Sequence, residues 1–483
     1  MSNPLILGTN SIKDTGFDVA NSCRFNGAIN NDECLIKTFG TATNRKKFTF
    51  SLWIKISERG QGDNNALLVA GAPANDEGTL GFDSNYRLSW TEYDTSTTSN
   101  IGFLRTNRVF RDFSAWYNLV FSWDTTNATA DNRMKIWVNG VQETSFESRT
   151  NPSLNYDAQL NNNVVHNIGR QSWNNSGDYN GYMAEVCFID GQALDPTSFG
   201  EFDEDTGIWK PIDVSGLTFG TNGFYLDFEN SGSLGADVSG NGNNFTVNNL
   251  TSIDQTTDTP TNNFATLNPL HFNATIPSSG TLSDGNLTFT SSQGSGGYPA
   301  MYSTMAVSQG KWYAEFKVTT GNSAIVGIGA GSLRGGFFGG GYYDYAYYYD
   351  GTFYNNGGNT GSQSSYTDGD IISVAMDLDN NKVYVAKNNT WQHSGNPSAG
   401  TGGYTITAPA SQTGATGTGV YHFAYGDAGG GTPAIQGNFG NPPYSANGYS
   451  DANGYGNMSY SVPSGYYILN TKNLAEYGWC YVY

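Results

Sequence analysis

The sequence predicts an all-β protein made of two tandem antiparallel β-sandwiches, and three observations support this prediction. Glycine (62 residues) and tyrosine (31 residues) are abundant in the 483-residue chain, a composition that favours strands and turns over helices. Apolar and polar residues alternate in many short segments with the period of two that marks a strand with one buried face. One strand–turn–strand pattern occurs twice, at 113–141 and at 370–391, so we expect a similar hairpin in each sandwich.

Charge and cysteine content exclude several classes of protein. The 23 Lys and Arg against 42 Asp and Glu give a formal net charge of −19, which repels nucleic acid and anionic lipid headgroups. The cysteines Cys23, Cys34, Cys187 and Cys480 are scattered without a C-x-x-C pair, so we expect free, mostly buried thiols. No apolar run is long enough to span a membrane, and the N-terminal residues lack the pattern of a secretion signal. We therefore expect synthesis in a cytoplasm, no nucleic-acid partner and no membrane insertion.

The first sandwich is predicted from alternating strands, of which residues 47–57, KFTFSLWIKIS, are the clearest. The apolar face of this strand carries Phe48, Phe50, Leu52, Ile54 and Ile56. The opposite face, which we expect to be half solvated, carries Thr49, Ser51, Trp53 and Lys55. Further strands are predicted at 66–71, 86–93, 164–169 and 181–190.

The two repeated hairpins have matching patterns. The apolar side chains alternate at Met134, Ile136 and Val138 in the first hairpin, and at Ile372, Val374 and Met376 in the second. The turns are rich in Asp and Asn, whose side chains bond their own backbone and tolerate left-handed conformations. We therefore expect antiparallel hairpins whose turn acids satisfy backbone groups.

The second sandwich begins near residue 270, and an Asn-, Thr-, Ser- and Gly-rich segment precedes it. Its strands are predicted at 285–290, 310–319, 324–329, 345–349, 371–378, 382–387 and 420–425. The preceding segment, 211–268, reads as one or two extra strands plus a linker. The alternative is that it completes the first sandwich, and we favour this because Tyr225, Leu226 and Phe228 would otherwise be exposed.

Two ordered series of strands resemble known families. The series FTFSLWIKIS, WYNLVFSWDTT, MKIWVNGV and GYMAEVCFIDGQAL resembles the laminin-G-like, concanavalin A-type jelly rolls. The later series GKWYAEFKV, IVGIGAG, YAYYYDGTFYNNG and DGDIISVAMDLDNNKVYVAKN resembles the SPRY domain. These resemblances imply a concanavalin A-like jelly roll at 1–210, a connecting segment with extra strands packed on it at 211–268, a SPRY-like sandwich at 269–470 and a C-terminal tail at 471–483.

The segment after the first sandwich resembles a group of tailed-phage virion structural proteins, many from phages of marine bacteria. The resemblance lies in LDPTSFGEFDEDTGIWKP, GTNGFYLDFENSGSLGADVSGNGNNFTVNNL and DTPTNNFATLNPL. It implies a virion protein, assembled in the host cytoplasm, that serves as a tail-fibre-like appendage or a capsid decoration. Implied partners are other virion subunits, further copies of this chain in a homo-oligomer, and a host-surface glycan or protein. The alternatives are a virion-associated polysaccharide depolymerase and a stand-alone lectin or adhesion module.

Paired carboxylates are the first candidate for catalysis, because a glycosidase needs two carboxyl groups that flank the scissile bond. The best local cluster is Glu201, Asp203, Glu204 and Asp205. Laminarinase-type glucanases carry E-x-D-x-x-E on a strand, but Thr206 stands where the last Glu is required, and the segment reads as a turn. We therefore predict no catalytic residues and no enzymatic activity.

Metal ligands are equally sparse. Asp377-x-Asp379-x-Asn381 opens like a calcium loop, yet Lys382 replaces the required Gly and Asn388 the bidentate Glu. We interpret this stretch as a hairpin turn. The histidines are dispersed along the chain: His166, His271, His393 and His422. No cofactor and no metal site are predicted from the residues, although the laminin-G-like resemblance allows a structural calcium ion whose ligands the sequence does not identify.

Two loops combine glycine with aromatic residues, a composition that suits recognition on a rigid sandwich. In 329–349 the candidate ligand-binding residues are Arg334, Phe337, Phe338, Tyr342 and Tyr343. In 172–182 they are Trp173 and Tyr179. The first loop can contact either a glycan or another virion subunit. The second can either stack on a sugar or cap the sandwich, and Tyr345, Tyr347 and Tyr349 are interpreted as one face of a strand.

Overall fold

The computed structural model describes residues 16–27, 32–57, 65–71, 76–171, 177–272, 280–292, 298–331 and 337–478. These residues form two compact units: the first takes those up to Thr261 with Ser283–Gly285, and the second takes the rest. Regular structure is almost entirely antiparallel β, which confirms the predicted fold class. The one α-helix in the described residues, α1 (Thr471–Tyr477), has seven residues. No helix in the described part of the chain is both long and apolar enough to cross a membrane.

The first unit contains eighteen strands and three single-turn 3-10 helices within its described residues. The strands are β1 (Ser22–Asn26), β2 (Cys34–Thr38), β3 (Lys47–Ile56), β4 (Asn65–Gly71), β5 (Glu77–Phe82), β6 (Arg87–Asp94), β7 (Ser99–Val109), β8 (Trp116–Asp124), β9 (Met134–Val138), β10 (Val141–Gln142), β11 (Phe146–Thr150), β12 (Val165–Ile168), β13 (Asn180–Asp190), β14 (Gly200–Phe202), β15 (Trp209–Pro211), β16 (Phe224–Leu226), β17 (Thr246–Asn248) and β18 (Gln255–Thr256). The 3-10 turns are Ala130–Asn132, Pro196–Ser198 and Ser252–Asp254.

The chain continues with sixteen further strands and three more 3-10 turns in the described residues. The strands are β19 (Leu267–Phe272), β20 (Gly280–Ser283), β21 (Thr288–Ser291), β22 (Ala300–Ser303), β23 (Lys311–Thr320), β24 (Ala324–Gly329), β25 (Tyr345–Tyr348), β26 (Thr352–Asn355), β27 (Gly358–Ser362), β28 (Ile371–Asp377), β29 (Lys382–Lys387), β30 (Thr390–Trp391), β31 (Tyr404–Thr405), β32 (His422–Asp427), β33 (Ala434–Asn438) and β34 (Tyr467–Ile468). The 3-10 turns are Pro397–Ala399, Pro409–Ser411 and Gly414–Thr416.

The first unit packs two eight-stranded sheets around one apolar core. One sheet has the order β10-β9-β8-β3-β13-β1-β18, with β16 also paired to β13, and the other has the order β11-β7-β6-β5-β4-β12-β2-β17. Phe50 and Phe121 of the first sheet meet Leu80 and Trp90 of the second in this core. Strands β16, β17 and β18, which lie within 211–268, pair with β13, β2 and β1.

The outer face of β3 differs from its prediction. Its inner side chains, from Phe48 to Ile56, lie in the core as alternation predicts. The opposite side chains are not half solvated, since Thr49, Ser51, Trp53 and Lys55 are at most 4% exposed. The chain covers this face itself, because Phe199, Val214 and Phe219 pack against Val120 and Cys187 there. The three described cysteines, Cys23, Cys34 and Cys187, are free and buried, and Cys480 lies outside the described residues.

The second unit has the same two-layer architecture. Its seven-stranded sheet has the order β19-β22-β32-β24-β25-β26-β27, and its nine-stranded sheet has the order β20-β21-β33-β23-β28-β29-β30, with β31 on β29 and β34 parallel to β23. Trp312 and Phe316 of one sheet share a core with Tyr347 and Phe423 of the other.

The two hairpins occupy the same place in their sheets, after β3 as β8-β9-β10 and after β23 as β28-β29-β30. Their alternating side chains face the two cores as predicted. Both end in a two-residue turn that is held alike. The Asn118 N–H donates to Asn139 Oδ1 at 2.7 Å, and the Ile371 N–H donates to Asn388 Oδ1 at 2.9 Å. The acids of the predicted turns, between β8 and β9 and between β28 and β29, satisfy backbone groups as expected, since Asp124 Oδ1 accepts the Thr126 N–H and Asp377 Oδ1 accepts the Asn380 N–H, each at 3.0 Å.

Candidate functional site

The predicted site in 172–182 rests on two residues that the structure treats differently. Trp173 lies outside the described residues. Tyr179 is 1% exposed, and its hydroxyl donates to the carbonyl oxygens of Lys55 (3.1 Å) and Tyr182 (3.2 Å). Because the ring is enclosed in the first core beside Phe25, Tyr179 caps the sandwich and offers no face to a ligand.

The aromatic–glycine loop of the second unit is held firmly at two residues. The Phe338 ring is 2% exposed and packs edge-on against Tyr302, while its carbonyl accepts the hydroxyl of Tyr348 at 2.8 Å. The Tyr343 hydroxyl accepts the Thr413 N–H at 2.8 Å, and its side chain is 9% exposed. Both predicted site residues therefore build the loop, and Arg334 lies outside the described residues.

The other two predicted residues are available for contact. The Tyr342 side chain is 65% exposed. Phe337 is half-buried, with ring centroids 5.8 Å from Tyr298, 6.4 Å from Tyr348 and 5.8 Å from Tyr354. We call Tyr298, Phe337, Tyr348 and Tyr354 the aromatic surface, of which Tyr348, at 7% exposed, is the buried member. The exposed Tyr342 lies on the same loop as Phe337.

The aromatic surface lies on the outer face of the seven-stranded sheet because the strands beneath it carry small residues. Ala300, Ala346 and Ala424 come from β22, β25 and β32 and pack under the rings. Gly339 has φ +99°, and a Cβ there would come within 2.9 Å of the Tyr354 Cβ. Only glycine lets the loop cross β26 this closely.

A buried carboxyl group, Asp344, supports the same loop. It is 5% exposed, and its Oδ2 accepts the Gly341 N–H at 3.2 Å. Burial raises the pKa of Asp344 to about 6. The Asn355 amide donates to the carbonyl oxygens of Tyr342 (3.1 Å) and Asp344 (2.9 Å). The exposed Tyr342 is therefore presented on a backbone that is already ordered, which lowers the entropy cost of binding.

Sequence reasoning missed part of this site. Tyr345 and Tyr347 face the core, as the strand interpretation predicts, but Tyr348 on the opposite face belongs to the aromatic surface. Tyr298 and Tyr354 come from other segments, and no local pattern joins them to Phe337. The one sequence signal for the group that supports this loop was Asp344, an acidic residue among glycines and tyrosines.

Two carboxylates of the acidic cluster in the first unit, those of Glu201 and Asp203, are engaged at the small ribbon β14–β15. Lys210 Nζ lies 3.4 Å from both Glu201 Oε1 and Asp203 Oδ2. Asp203 Oδ1 also accepts the Thr206 hydroxyl (2.7 Å) and N–H (2.9 Å), and these hydrogen bonds lower the pKa of Asp203. Two carboxylates that share one ammonium group in a turn do not form the separated acid and nucleophile of a glycosidase.

The carboxylates of the calcium-like stretch are also occupied. Asp377 lies 3.1 Å from Lys311 Nζ and accepts the N–H of Asn380, and Asp379 accepts the N–H of Gly310. In the described ranges, no three His, Cys, Asp or Glu side chains come together so as to hold a metal ion.

Comparisons with known proteins agree with this architecture for the first unit. Residues 4–197 match the family described as the Concanavalin A-like lectin/glucanases superfamily. Among solved structures, the chain is similar to the SPRY domain of human HERC1, with 16% identity over 35% of this chain and 96% of that chain and a TM-score of 0.27.

A second solved structure is a native heptameric SAP-like pentraxin from Limulus polyphemus. It is 15% identical over 37% of this chain and 79% of that chain, with a TM-score of 0.28. A search of curated proteins found no match. The family match thus shows that residues 4–197 are similar to the Concanavalin A-like lectin/glucanases superfamily.

Proposed function

We propose that this chain is a phage virion structural protein, a tail-fibre-like appendage or capsid decoration, that acts in assembly and attaches to a host-surface glycan or protein. Two observations support the proposal. The residues after the first sandwich resemble tailed-phage virion proteins, and residues 4–197 match a superfamily described by its lectins and glucanases. Its partners are other virion subunits and further copies of this chain.

The aromatic surface, together with Tyr342, carries the attachment. This assignment rests on one observation: the Tyr342 side chain is exposed, while the backbone that presents it is held by hydrogen bonds. A phenol offers a stacking face and a hydroxyl, which suits the C–H faces and hydroxyls of a sugar or the backbone of a protein. The net charge of −19 favours a neutral or cationic receptor over an anionic one.

The test is binding of the purified protein to host cells. Tyr342→Ala should weaken binding at least tenfold, because an exposed aromatic contact is worth about 1.4 kcal/mol or more. Tyr449→Ala is the matched control, since Tyr449 is 45% exposed in the same unit and lies outside the aromatic surface. Equal binding by wild type and Tyr342→Ala would refute this site. Cells stripped of glycan or treated with protease then distinguish the two kinds of receptor.

Immunogold labelling of intact particles tests whether the protein is part of the virion. If neither the head nor the tail is labelled, the proposed virion role is refuted. The competing depolymerase function predicts release of reducing sugar from host polysaccharide. We expect none. Release that disappears on mutating Glu201 or Asp203 would replace our proposal with an enzymatic one.

A further inference from the structure

A lysine and an aspartate form a buried pair on the outer face of the first sheet of the first unit. Lys55 lies on β3, and Asp258 follows the end of β18. Lys55 Nζ is 2.8 Å from Asp258 Oδ2, and the two side chains are only 1% and 2% exposed. Trp116 on β8 and Tyr182 on β13 are the cross-strand neighbours of Lys55, and both rings belong to one apolar cluster. The pair therefore lies in apolar, aromatic surroundings.

Hydrogen bonds hold the amine and the carboxyl group in a fixed arrangement. Lys55 Nζ contacts one carboxyl oxygen of Asp258, and the Trp116 indole N–H donates to the other, Oδ1, at 3.0 Å. The Ser22 hydroxyl donates to the main-chain carbonyl of Asp258 at 2.6 Å, which anchors the backbone at this residue. The nitrogen of one group is thus kept against the carboxyl group of the other, an arrangement that lowers the entropy cost of a reaction between them.

Burial favours the neutral forms of both groups. It lowers the pKa of the Lys55 ammonium group, and this effect outweighs the opposing charge of Asp258. Two opposite charges in apolar surroundings carry a large desolvation cost. Transfer of one proton from the ammonium group to the carboxylate removes both charges and leaves an amine beside a carboxylic acid. These two groups can condense to an amide.

We propose that Lys55 and Asp258 react with each other to form an intramolecular isopeptide bond. Lys55 Nζ attacks Asp258 Cγ, so that a C–N bond forms and the C–Oδ2 bond breaks. Oδ2 leaves as water, with the proton of the carboxylic acid and one proton of the amine. The Trp116 N–H stabilises the negative charge that develops on Oδ1 in the tetrahedral intermediate. The condensation is balanced without an oxidant, a reductant or a cofactor.

The bond would join two distant parts of the chain. Asp258 ends the segment that carries β16, β17 and β18, and Lys55 lies on a central strand of the sheet that β16 and β18 extend. A covalent link between them fastens this segment to the sandwich, and it restricts the unfolded chain as other cross-links do. The inference goes beyond the proposed function and does not depend on it.

The test is the intact mass of the purified full chain, measured under denaturing conditions. The wild type should be lighter than its sequence by one water molecule, and Lys55→Arg should have its full mass. Lys311→Arg is the matched control, because Lys311 Nζ lies 3.1 Å from the buried Asp377 but its side chain is 28% exposed. This variant should still lose one water. A wild type of full mass, or a loss of water that persists in Lys55→Arg, would overturn the proposal.

Peptide mapping of the wild type locates the bond, so the test stands even if Lys55→Arg folds poorly. Protease digestion should release a branched peptide that contains Lys55 and Asp258, while the peptides with Lys311 and Asp377 should be recovered unlinked. A wild type without the branched peptide would overturn the proposal.

The rate of bond formation tests the part assigned to Trp116. Chains made by cell-free synthesis are sampled over time, and Trp116→Phe should form the bond at least tenfold more slowly than the wild type, because the N–H donor to Oδ1 is lost. An unchanged rate in Trp116→Phe would overturn the role of the indole N–H.

Discussion

Glu185 and Glu315 make an instructive pair, one in each sandwich. Each lies on the covered outer face of the sheet that carries the repeated hairpin, and each receives a tyrosine hydroxyl, from Tyr225 at 2.6 Å and from Tyr313 at 2.9 Å. Glu315 is 0% exposed and accepts hydrogen bonds from four groups: Tyr313 Oη, Asn438 Nδ2, Ser459 N and Tyr460 N. Glu185 has one such bond among the described residues.

The difference follows from the backbone around each carboxyl group. β23 runs in regular register with β28, so Glu315 alternates outward beneath residues 459 and 460, whose N–H groups it receives. β13 is bulged at Glu185, and the segment that covers it contributes apolar side chains instead of donors. Glu315 therefore holds its covering segment in place through backbone N–H groups, whereas Glu185 holds one tyrosine hydroxyl.

The largest expected effect comes from the number of hydrogen bonds that each carboxyl group accepts. Glu315→Ala leaves the Ser459 and Tyr460 N–H groups and the Tyr313 hydroxyl without this acceptor, and each buried unpaired donor costs about 1–3 kcal/mol. We expect a loss of about 4 kcal/mol in the free energy of unfolding, measured by urea denaturation. Glu185→Ala, which removes the partner of one hydroxyl, should lose no more than about 1.5 kcal/mol. Equal losses would contradict the comparison.

The dependence of stability on pH tests whether Glu185 is protonated in the folded protein. The pKa of Glu185 is raised from 4.5 to about 7 in the folded protein, mainly by burial. Below 4.5 the carboxyl group is protonated in both states, and its contribution to stability is fully present. As the pH rises toward 7, the Glu185 carboxyl group ionises in the unfolded chain before it ionises in the folded protein, so the free energy of unfolding falls. Relative to Glu185→Gln, the wild type should lose about 3 kcal/mol across this window.

Urea denaturation at a series of pH values measures this difference. Glu147→Gln serves as the control, because Glu147 is 41% exposed and its replacement should leave the profile of the wild type nearly unchanged. Parallel profiles for wild type and Glu185→Gln would show that the folded protein does not hold the proton at this site.

Alternation in the sequence predicts which face of a strand is buried, but it does not predict what covers the other face. Met134 and Ile372 face their cores as expected because period two is a local property. Ser51 is buried by residues more than a hundred positions away, a contact that only the folded chain creates. Phe338 looks exposed among glycines, yet it packs on alanines from three separate strands. The bulge at Glu185 leaves no trace in the alternation of GYMAEVCFID.

The two hairpin turns give the smallest expected difference. Asn139–Gly140 has φ values of +48° and +75°, and Asn388–Asn389 has +45° and +65°. An alanine at residue 140 or at residue 389 would have to adopt the same left-handed backbone conformation, which costs about 1–2 kcal/mol. At 140 its Cβ would also lie 2.4 Å from the Trp209 ring, which adds about 2 kcal/mol of overpacking. Gly140→Ala should therefore destabilise the protein by about 2 kcal/mol more than Asn389→Ala in thermal or urea unfolding. If the two cost the same, Trp209 is free to move, and the first turn is no more constrained than the second.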